Sequence, residues 1–148
     1  MISVSLTADE MHLASAHATL RRHMALSGQR SDRQQNQRSS WDNEVCGAMA
    51  ELAVCKHKNV FWSGAAGLRA KDGGDVEVRW THHEGTGGLI VYSNDDDRAV
   101  YVLCDGYGPI NLVGWMRGAD AKQKARRVGG IKIVPRQLLN EFSGGSSK

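Results

Sequence analysis

Cysteine is scarce in this sequence, and the few cysteines form no familiar pairing motif. Cys46, Cys55 and Cys104 are an odd number, and no two of them have CxxC spacing. This pattern argues against a disulfide framework and against a zinc site. We therefore expect three reduced, small core residues in a protein of the cytoplasm.

Long apolar runs are missing as well. No stretch approaches the roughly 18 apolar residues of a membrane-spanning helix, and the N-terminus lacks the basic and apolar segments of a secretory signal. The P-loop motif GxxxxGK[ST] is also absent, which excludes that way of cradling a phosphate. The sequence predicts a soluble, intracellular protein with no membrane partner.

The length of 148 residues predicts one domain, residues 1–148, which is large enough to bury a core without disulfides. The net charge of +3 permits an anionic partner without requiring one.

Basic residues are concentrated in the segment from residue 117 to residue 136, where seven cations accompany a single acid, Asp120. Such a segment suits a nucleic-acid backbone, and a solvated basic face is the alternative interpretation. The candidate nucleic-acid ligands are Arg117, Lys122, Lys124, Arg126 and Arg127. Trp115, directly before them, is expected either to stack on a base or to pack in the core.

Helical patterns dominate the first part of the chain. Thr7 and Glu10 have the spacing of a capping box, which predicts a helix running to about Leu26. Apolar residues at helical spacing predict a second helix from Trp41 to His57. The polar segment 28–40 between them predicts a loop, and the tail 143–148 is expected to be flexible.

Strand patterns dominate the second half. Strand candidates lie at 60–62, 76–81, 88–92, 99–104, 110–115 and 130–134, and Pro135 suits the first turn of a closing helix through Phe142. The aspartate run 95–97 is expected to be a solvated turn, with the alternative that one of its members approaches a metal. This order predicts an α+β fold, in which N-terminal helices pack on a central mixed β-sheet with a C-terminal helix.

The stretch 72–81 carries the most distinctive pattern. Its apolar side chains alternate with polar ones, so that Glu77 and Arg79 share one strand face about 6.7 Å apart. Asp72 lies just upstream, beside two glycines. Acids that converge at a strand start can hold a hard cation such as Mg²⁺. The alternative is an ordinary turn followed by a same-face ion pair.

The order of these residues resembles the PD-(D/E)XK nuclease superfamily. An acid in a helix (Glu51) is followed by an Asp before a strand (Asp72) and by an acid and a cation within that strand (Glu77 and Arg79). More narrowly, the chain is similar to small phage and prophage proteins over residues 41–140. The matching blocks are Gly47–Glu51, Asp75–Arg79, Gly88–Val91, Tyr101–Leu103, Gly114–Gly118 and Val134–Gln137.

The resemblance implies a restriction-endonuclease-like, Mg²⁺- or Mn²⁺-dependent phosphodiesterase acting on DNA. The implied catalytic residues are Glu51, Asp72, Glu77 and Arg79, and the implied metal ligands are Glu51, Asp72 or Asp75, and Glu77.

One residue departs from the family pattern, because Arg79 occupies the usual lysine position. Arginine stays charged and cannot act as a general base. Three alternatives follow: a metal-bound hydroxide attacks while Arg79 only steadies the phosphate, or Lys71 or Lys56 substitutes, or catalysis has been lost.

The alternative function is a non-catalytic, phage-encoded module with a degenerate nuclease fold that binds nucleic acid or a host protein in the host cytoplasm. A third reading is a structural protein in which Glu77 and Arg79 belong to an ion-pair ladder. The sequence is also compatible with a homodimer.

Overall fold

The computed structural model describes residues 1–27, 41–64, 68–69 and 74–143. The predicted loop 28–40, Asp72 and the tail beyond Ser143 lie outside these residues. The elements in chain order are β1 (Ile2–Val4), α1 (Ala8–Leu26), α2 (Trp41–Lys58), β2 (Leu68–Arg69), β3 (Asp75–Thr81), β4 (Leu89–Val91), β5 (Val100–Asp105), β6 (Ile110–Arg117), α3 (Gly118–Lys124), β7 (Arg126–Val128) and β8 (Ile131–Val134), followed by a 3-10 helix, Arg136–Leu138.

The first helix begins at the predicted capping box. The Glu10 amide donates to Thr7 Oγ1 at 3.1 Å, and the Thr7 amide donates to Glu10 Oε1 at 2.8 Å. These two bonds satisfy backbone donors that an uncapped helix leaves without partners. The helix buries Ala14 and Ala18 in a core shared with α2.

The central sheet has the strand order β1-β6-β5-β3-β2. Only β3 and β5 run parallel within it, so the sheet is mixed, as predicted. Every residue of β5 is buried, because this strand lies in the middle of the sheet and both of its faces are covered. On one face, Val100, Val102 and Cys104 pack against α1 and α2.

A second sheet covers the opposite face. This outer sheet is antiparallel, in the order β4-β8-β7. Its Leu89, Val91 and Val134 share a core with Tyr101 and Leu103 of β5. The chain is therefore an α+β fold with three layers: helices, central sheet and outer sheet.

Two local predictions need correction. Residues 60–62 do not form a strand. The C-terminal helix is a single 3-10 turn and does not continue through Phe142, because Asn140 and Trp115 exchange backbone hydrogen bonds of 2.9 and 3.0 Å that hold the chain extended beside β6. Within the described residues, no helix has the length and apolar content of a membrane span.

All three cysteines are free and buried, as predicted. Burial raises the pKa of Cys46 and of Cys55 to about 11, with smaller contributions from Asp42 and Glu51, and it also raises the pKa of Cys104. Few thiolates therefore exist at neutral pH.

We expect the native thiols to react with Ellman's reagent on the order of 100-fold more slowly than the thiols of the urea-unfolded chain, because the thiolate is the nucleophile. A variant with an exposed cysteine at α3, Ala119→Cys, serves as the control and should release one fast equivalent. Fast reaction of any wild-type cysteine in the folded protein would contradict the buried placement.

Candidate functional site

The strand β3 has the predicted alternation. Val76 is buried, and Val78 and Trp80 pack beside it against the helical core. Because successive side chains of a strand point to opposite faces, Glu77 and Arg79 lie on the side of the outer sheet. The polar face of β3 is therefore directed away from α1 and α2.

Arg79 makes a two-pronged ion pair with Asp95, which lies between β4 and β5. Nη1 donates to Oδ2 at 2.8 Å, and Nη2 donates to Oδ1 at 2.7 Å. Nη1 also donates to the carbonyl of Ile90. The side chains of Arg79 and Asp95 are 16 % and 1 % exposed, so the pair is shielded from water. The prediction that Asp95 belongs to a solvated turn was wrong.

Aromatic rings complete the surroundings of this pair. The Arg79 guanidinium carbon lies 4.4 Å from the centre of the Tyr101 ring and 5.0 Å from that of Tyr92. Burial opposes the charge of Arg79, but Asp95 and then Glu77 raise its pKa above its ordinary value. Burial, followed by Glu77 and Asp95, raises the pKa of Tyr101 to about 12. Arg79 is therefore a permanent cation held by a buried partner.

Glu51 lies on the other side of the central sheet. It accepts two hydrogen bonds from Arg21, at 3.0 and 2.7 Å, and one from Trp62 Nε1 at 3.3 Å. The helix that carries Glu51 packs on the face of β3 formed by Val76 and its apolar neighbours. The structure therefore does not bring Glu51 together with Glu77, which lies on the opposite face of the central sheet. The sequence pattern predicted the helix but could not tell which face it covers.

The two remaining acids of β3 share a face. Asp75 is exposed, and the side chain of Glu77 is 42 % exposed, with one oxygen 3.4 Å from Arg79. Asp72 and Lys71 lie outside the described residues, and Lys56 is engaged by Glu10 at 2.7 Å.

The residues implied as Mg²⁺ ligands therefore do not fit one metal site as a set, because Glu51 faces away from the acids of β3. Among residues 1–27, 41–64 and 74–143, no three His, Cys, Asp or Glu side chains form a group suited to a metal ion.

A second buried acid, Asp105 at the end of β5, was missed by the sequence reasoning. It accepts hydrogen bonds from the Gly85 amide at 3.0 Å, from Asn111 at 2.9 Å and from Arg136 at 2.9 Å. Burial alone would raise the pKa of Asp105, but these three donors outweigh it and lower the pKa. Since every donor points inward to a carboxylate that is 1 % exposed, the cluster is structural.

The structure divides the predicted basic segment into two groups. Arg117 donates to the Arg98 carbonyl at 2.8 Å, and Lys122 pairs with Asp97 at 2.7 Å. Arg136 belongs to the Asp105 cluster. The other cations are exposed, and among the described residues their side chains make no hydrogen bond or ion pair: Lys124, Arg126, Arg127 and Lys132.

These four cations lie on or beside the hairpin of β7 and β8, here called the basic ribbon (residues 124–133), which forms the edge of the outer sheet because β8 also pairs with β4. Gly129 and Gly130 form its turn, and Gly129 has a φ of 61°, which glycine adopts without strain. Residues 126–132 are all exposed, and the turn end of the ribbon, residues 128–131, extends past the last residue of β4 that pairs with β8. Trp115 is not part of it, because this residue packs toward the helical core.

One cross-strand pair on the ribbon is unusual. Arg127 lies directly opposite Lys132 in the register of β7 and β8. Like charges in that position repel each other and destabilise a hairpin. An anion bound between them would relieve the repulsion.

No protein-family model matches the chain, and no curated protein or solved structure matches it either. Functional inference therefore rests on the geometry of the residues.

The structural role of Arg79 can be tested by replacing it with lysine, which keeps the positive charge. We expect Arg79→Lys to lower the free energy of unfolding by about 2 kcal/mol, because lysine lacks the planar fork of two nitrogens that matches both oxygens of Asp95 and also reaches the Ile90 carbonyl. Urea unfolding measures the change. Glu77→Gln, on the same face but half exposed, is the control and should stay within about 0.5 kcal/mol of wild type. An unchanged stability for Arg79→Lys would contradict a structural pair.

The Asp105 cluster gives a pH-dependent prediction. The pKa of Asp105 is lower in the folded state than in the unfolded state. The carboxylate therefore stabilises the fold at pH values above the ordinary Asp pKa of about 3.9. This contribution is lost as the pH falls through the pKa of the folded state. We expect Asp105→Asn to lower the free energy of unfolding by about 3 kcal/mol at neutral pH. The difference from wild type should narrow in acid.

Denaturant unfolding at a series of pH values measures this difference. Asp97→Asn, which removes an exposed partner of Lys122, should change stability little at any pH. A constant difference between wild type and Asp105→Asn down to strongly acidic pH would count against the assignment.

Proposed function

We propose that this protein is a non-catalytic DNA-binding module and that the basic ribbon is its contact surface. The observation that carries the proposal is the opposed pair Arg127 and Lys132 on the exposed hairpin at the edge of the outer sheet. A phosphate group supplies the counter-charge that the described part of the chain does not provide to these two side chains.

The shape of the ribbon supports the same function. The end of the ribbon, residues 128–131, extends past β4 and is two strands wide, and a two-stranded antiparallel ribbon is narrow enough to enter the major groove of duplex DNA. Arg126 points to the opposite face of the ribbon from Arg127, and Lys124 lies at its base. Cations on both faces can reach the two phosphate backbones that border a groove. Such contacts position a protein on DNA without reading its sequence.

Two contacts favour binding over cleavage. Glu51 is engaged by Arg21 on the helical side of the sheet, and Arg79 is engaged by the buried Asp95. Neither side chain can serve a reaction on the polar face of β3 without breaking a well-formed ion pair. Loss of catalysis is therefore the reading that these contacts support.

A metal-dependent nuclease remains the second candidate, although fewer residues support it. Asp75 and Glu77 share a face of β3 that is open to water. Asp72 is near them in sequence. We offer this candidate only as the alternative that the following experiments separate.

DNA binding is measured by the fluorescence anisotropy of a labelled duplex at several salt concentrations. We expect the double variant Arg127→Ala/Lys132→Ala to reduce the slope of log affinity against log salt by about 2, since each lost phosphate contact removes about 1. Lys58→Ala, which removes an exposed cation from the end of α2, is the matched control and should leave the slope unchanged. Equal slopes for wild type and the double variant would overturn the proposal.

Cleavage is tested separately with supercoiled plasmid in Mg²⁺ or Mn²⁺, using wild type and Glu77→Ala. If the protein only binds DNA, wild type and Glu77→Ala should show the same absence of metal-dependent nicking. Nicking by wild type alone would establish the nuclease candidate, whatever the binding results.

The cellular setting belongs to the proposal too. Three free, buried thiols are typical of proteins in a reducing compartment, so we expect the protein in the cytoplasm, that of the host cell if it is phage-encoded. If DNA binding fails, a host protein is the alternative partner of the ribbon.

A further inference from the structure

An apolar pair lies at the turn end of the basic ribbon. Val128 and Ile131 are directly opposite each other in the register of β7 and β8, on either side of the two glycines of the turn. Val128 is 58 % exposed and Ile131 is 38 % exposed. Such a pair contacts across the hairpin and stabilises it, but it also presents apolar surface to water.

The pair faces away from the body of the protein. Lys132 lies opposite Val91 of β4, and directly opposite residues of an antiparallel sheet share a face. Val91 belongs to the core between the two sheets, so Arg127 and Lys132 lie on the side of the central sheet. Because successive side chains of a strand alternate, Val128 and Ile131 lie on the outer side, from which a large partner can approach.

Cations surround this pair. Arg126 lies on the same outer face as Val128, while Arg127 and Lys132 adjoin the pair on the other face. Among the described residues, the side chains of these three cations make no hydrogen bond or ion pair. The ribbon, residues 124–133, also contains no aromatic residue of the kind that anchors proteins at a lipid interface. The surroundings of the pair therefore favour a nucleic acid over a lipid surface.

The shape of a groove assigns a role to each face of the ribbon. In the major groove of duplex DNA the phosphates lie along the rim, and the base edges form the floor. Arginine and lysine side chains are long enough to reach the rim from either face. Valine and isoleucine contact only the surface against which their face lies. The apolar group on the floor of the major groove is the C5-methyl group of thymine.

We infer that Val128 and Ile131 contact thymine methyl groups in the major groove, so that the ribbon prefers duplexes rich in A·T pairs. The inference rests on the proposed DNA-binding function and adds a base preference to it. Arg126 binds phosphates from the face that meets the bases, and Arg127 and Lys132 bind them from the opposite face. The phosphate contacts supply affinity, and the apolar pair distinguishes thymine from bases that lack the methyl group.

Replacing thymine by uracil tests the inference, because it removes only the methyl group. Two labelled duplexes of one A·T-rich sequence, the first with thymine and the second with uracil, carry the same phosphates and the same base-pairing edges. Fluorescence anisotropy at a fixed salt concentration measures the affinity for each. We expect wild type to bind the uracil duplex about fourfold more weakly for each methyl group that is lost from the contact.

The double variant Val128→Ser/Ile131→Ser should bind the two duplexes equally, which separates a methyl contact from an effect of uracil on the shape of DNA. It should keep the salt slope of wild type, since it retains every cation of the ribbon. Val60→Ser, at an exposed valine after α2, is the matched control and should keep the wild-type preference for thymine.

Equal binding of the two duplexes by wild type, or a preference that survives in the double variant, would overturn the inference. The proposed function would still stand in either case if Arg127→Ala/Lys132→Ala lowers the salt slope. If wild type binds neither duplex, the proposed function and the inference fall together. Binding to phosphatidylserine vesicles that Val128→Ser/Ile131→Ser abolishes would overturn the inference in favour of a lipid surface.

Discussion

The ion pair between Arg79 and Asp95 is the contact on which the stacking of the two sheets depends. Arg79 belongs to the central sheet, while Asp95 and the Ile90 carbonyl belong to the outer sheet and the loop after it. A buried pair offsets the cost of leaving water only when its hydrogen bonds are complete. The two parallel hydrogen bonds from Arg79 to Asp95 meet this condition. The two flanking tyrosine rings add cation–π contacts to the guanidinium. Arg79 therefore helps to hold the two sheets together.

Much of the fold could be predicted from local patterns. The capping box at Thr7, the alternation of residues 76–81 and the apolar spacing of α2 each reflect contacts between neighbours in sequence. The pairings of Asp95 and Asp105 could not be predicted in this way, because their arginine partners are 16 and 31 residues away. Which face of the sheet α2 covers is likewise a tertiary property, and it decides whether Glu51 can meet Glu77.

The cations of residues 117–136 likewise show what the sequence can predict and what only the structure reveals. The sequence reveals seven cations between residues 117 and 136, but it cannot tell which of them are already paired. The fold assigns Lys122 to Asp97 and Arg136 to Asp105. The cations of the basic ribbon make no such pair among the described residues, and the opposed Arg127 and Lys132 concentrate their positive charge.

The central claim is that DNA contacts the basic ribbon and not the polar face of β3. An NMR titration of the isotope-labelled protein with a short DNA duplex in Mg²⁺ tests it most directly. We expect amide shifts to change along residues 124–133 and to stay nearly constant along residues 75–81. Changes centred on Asp75 and Glu77, with the ribbon unaffected, would contradict the account.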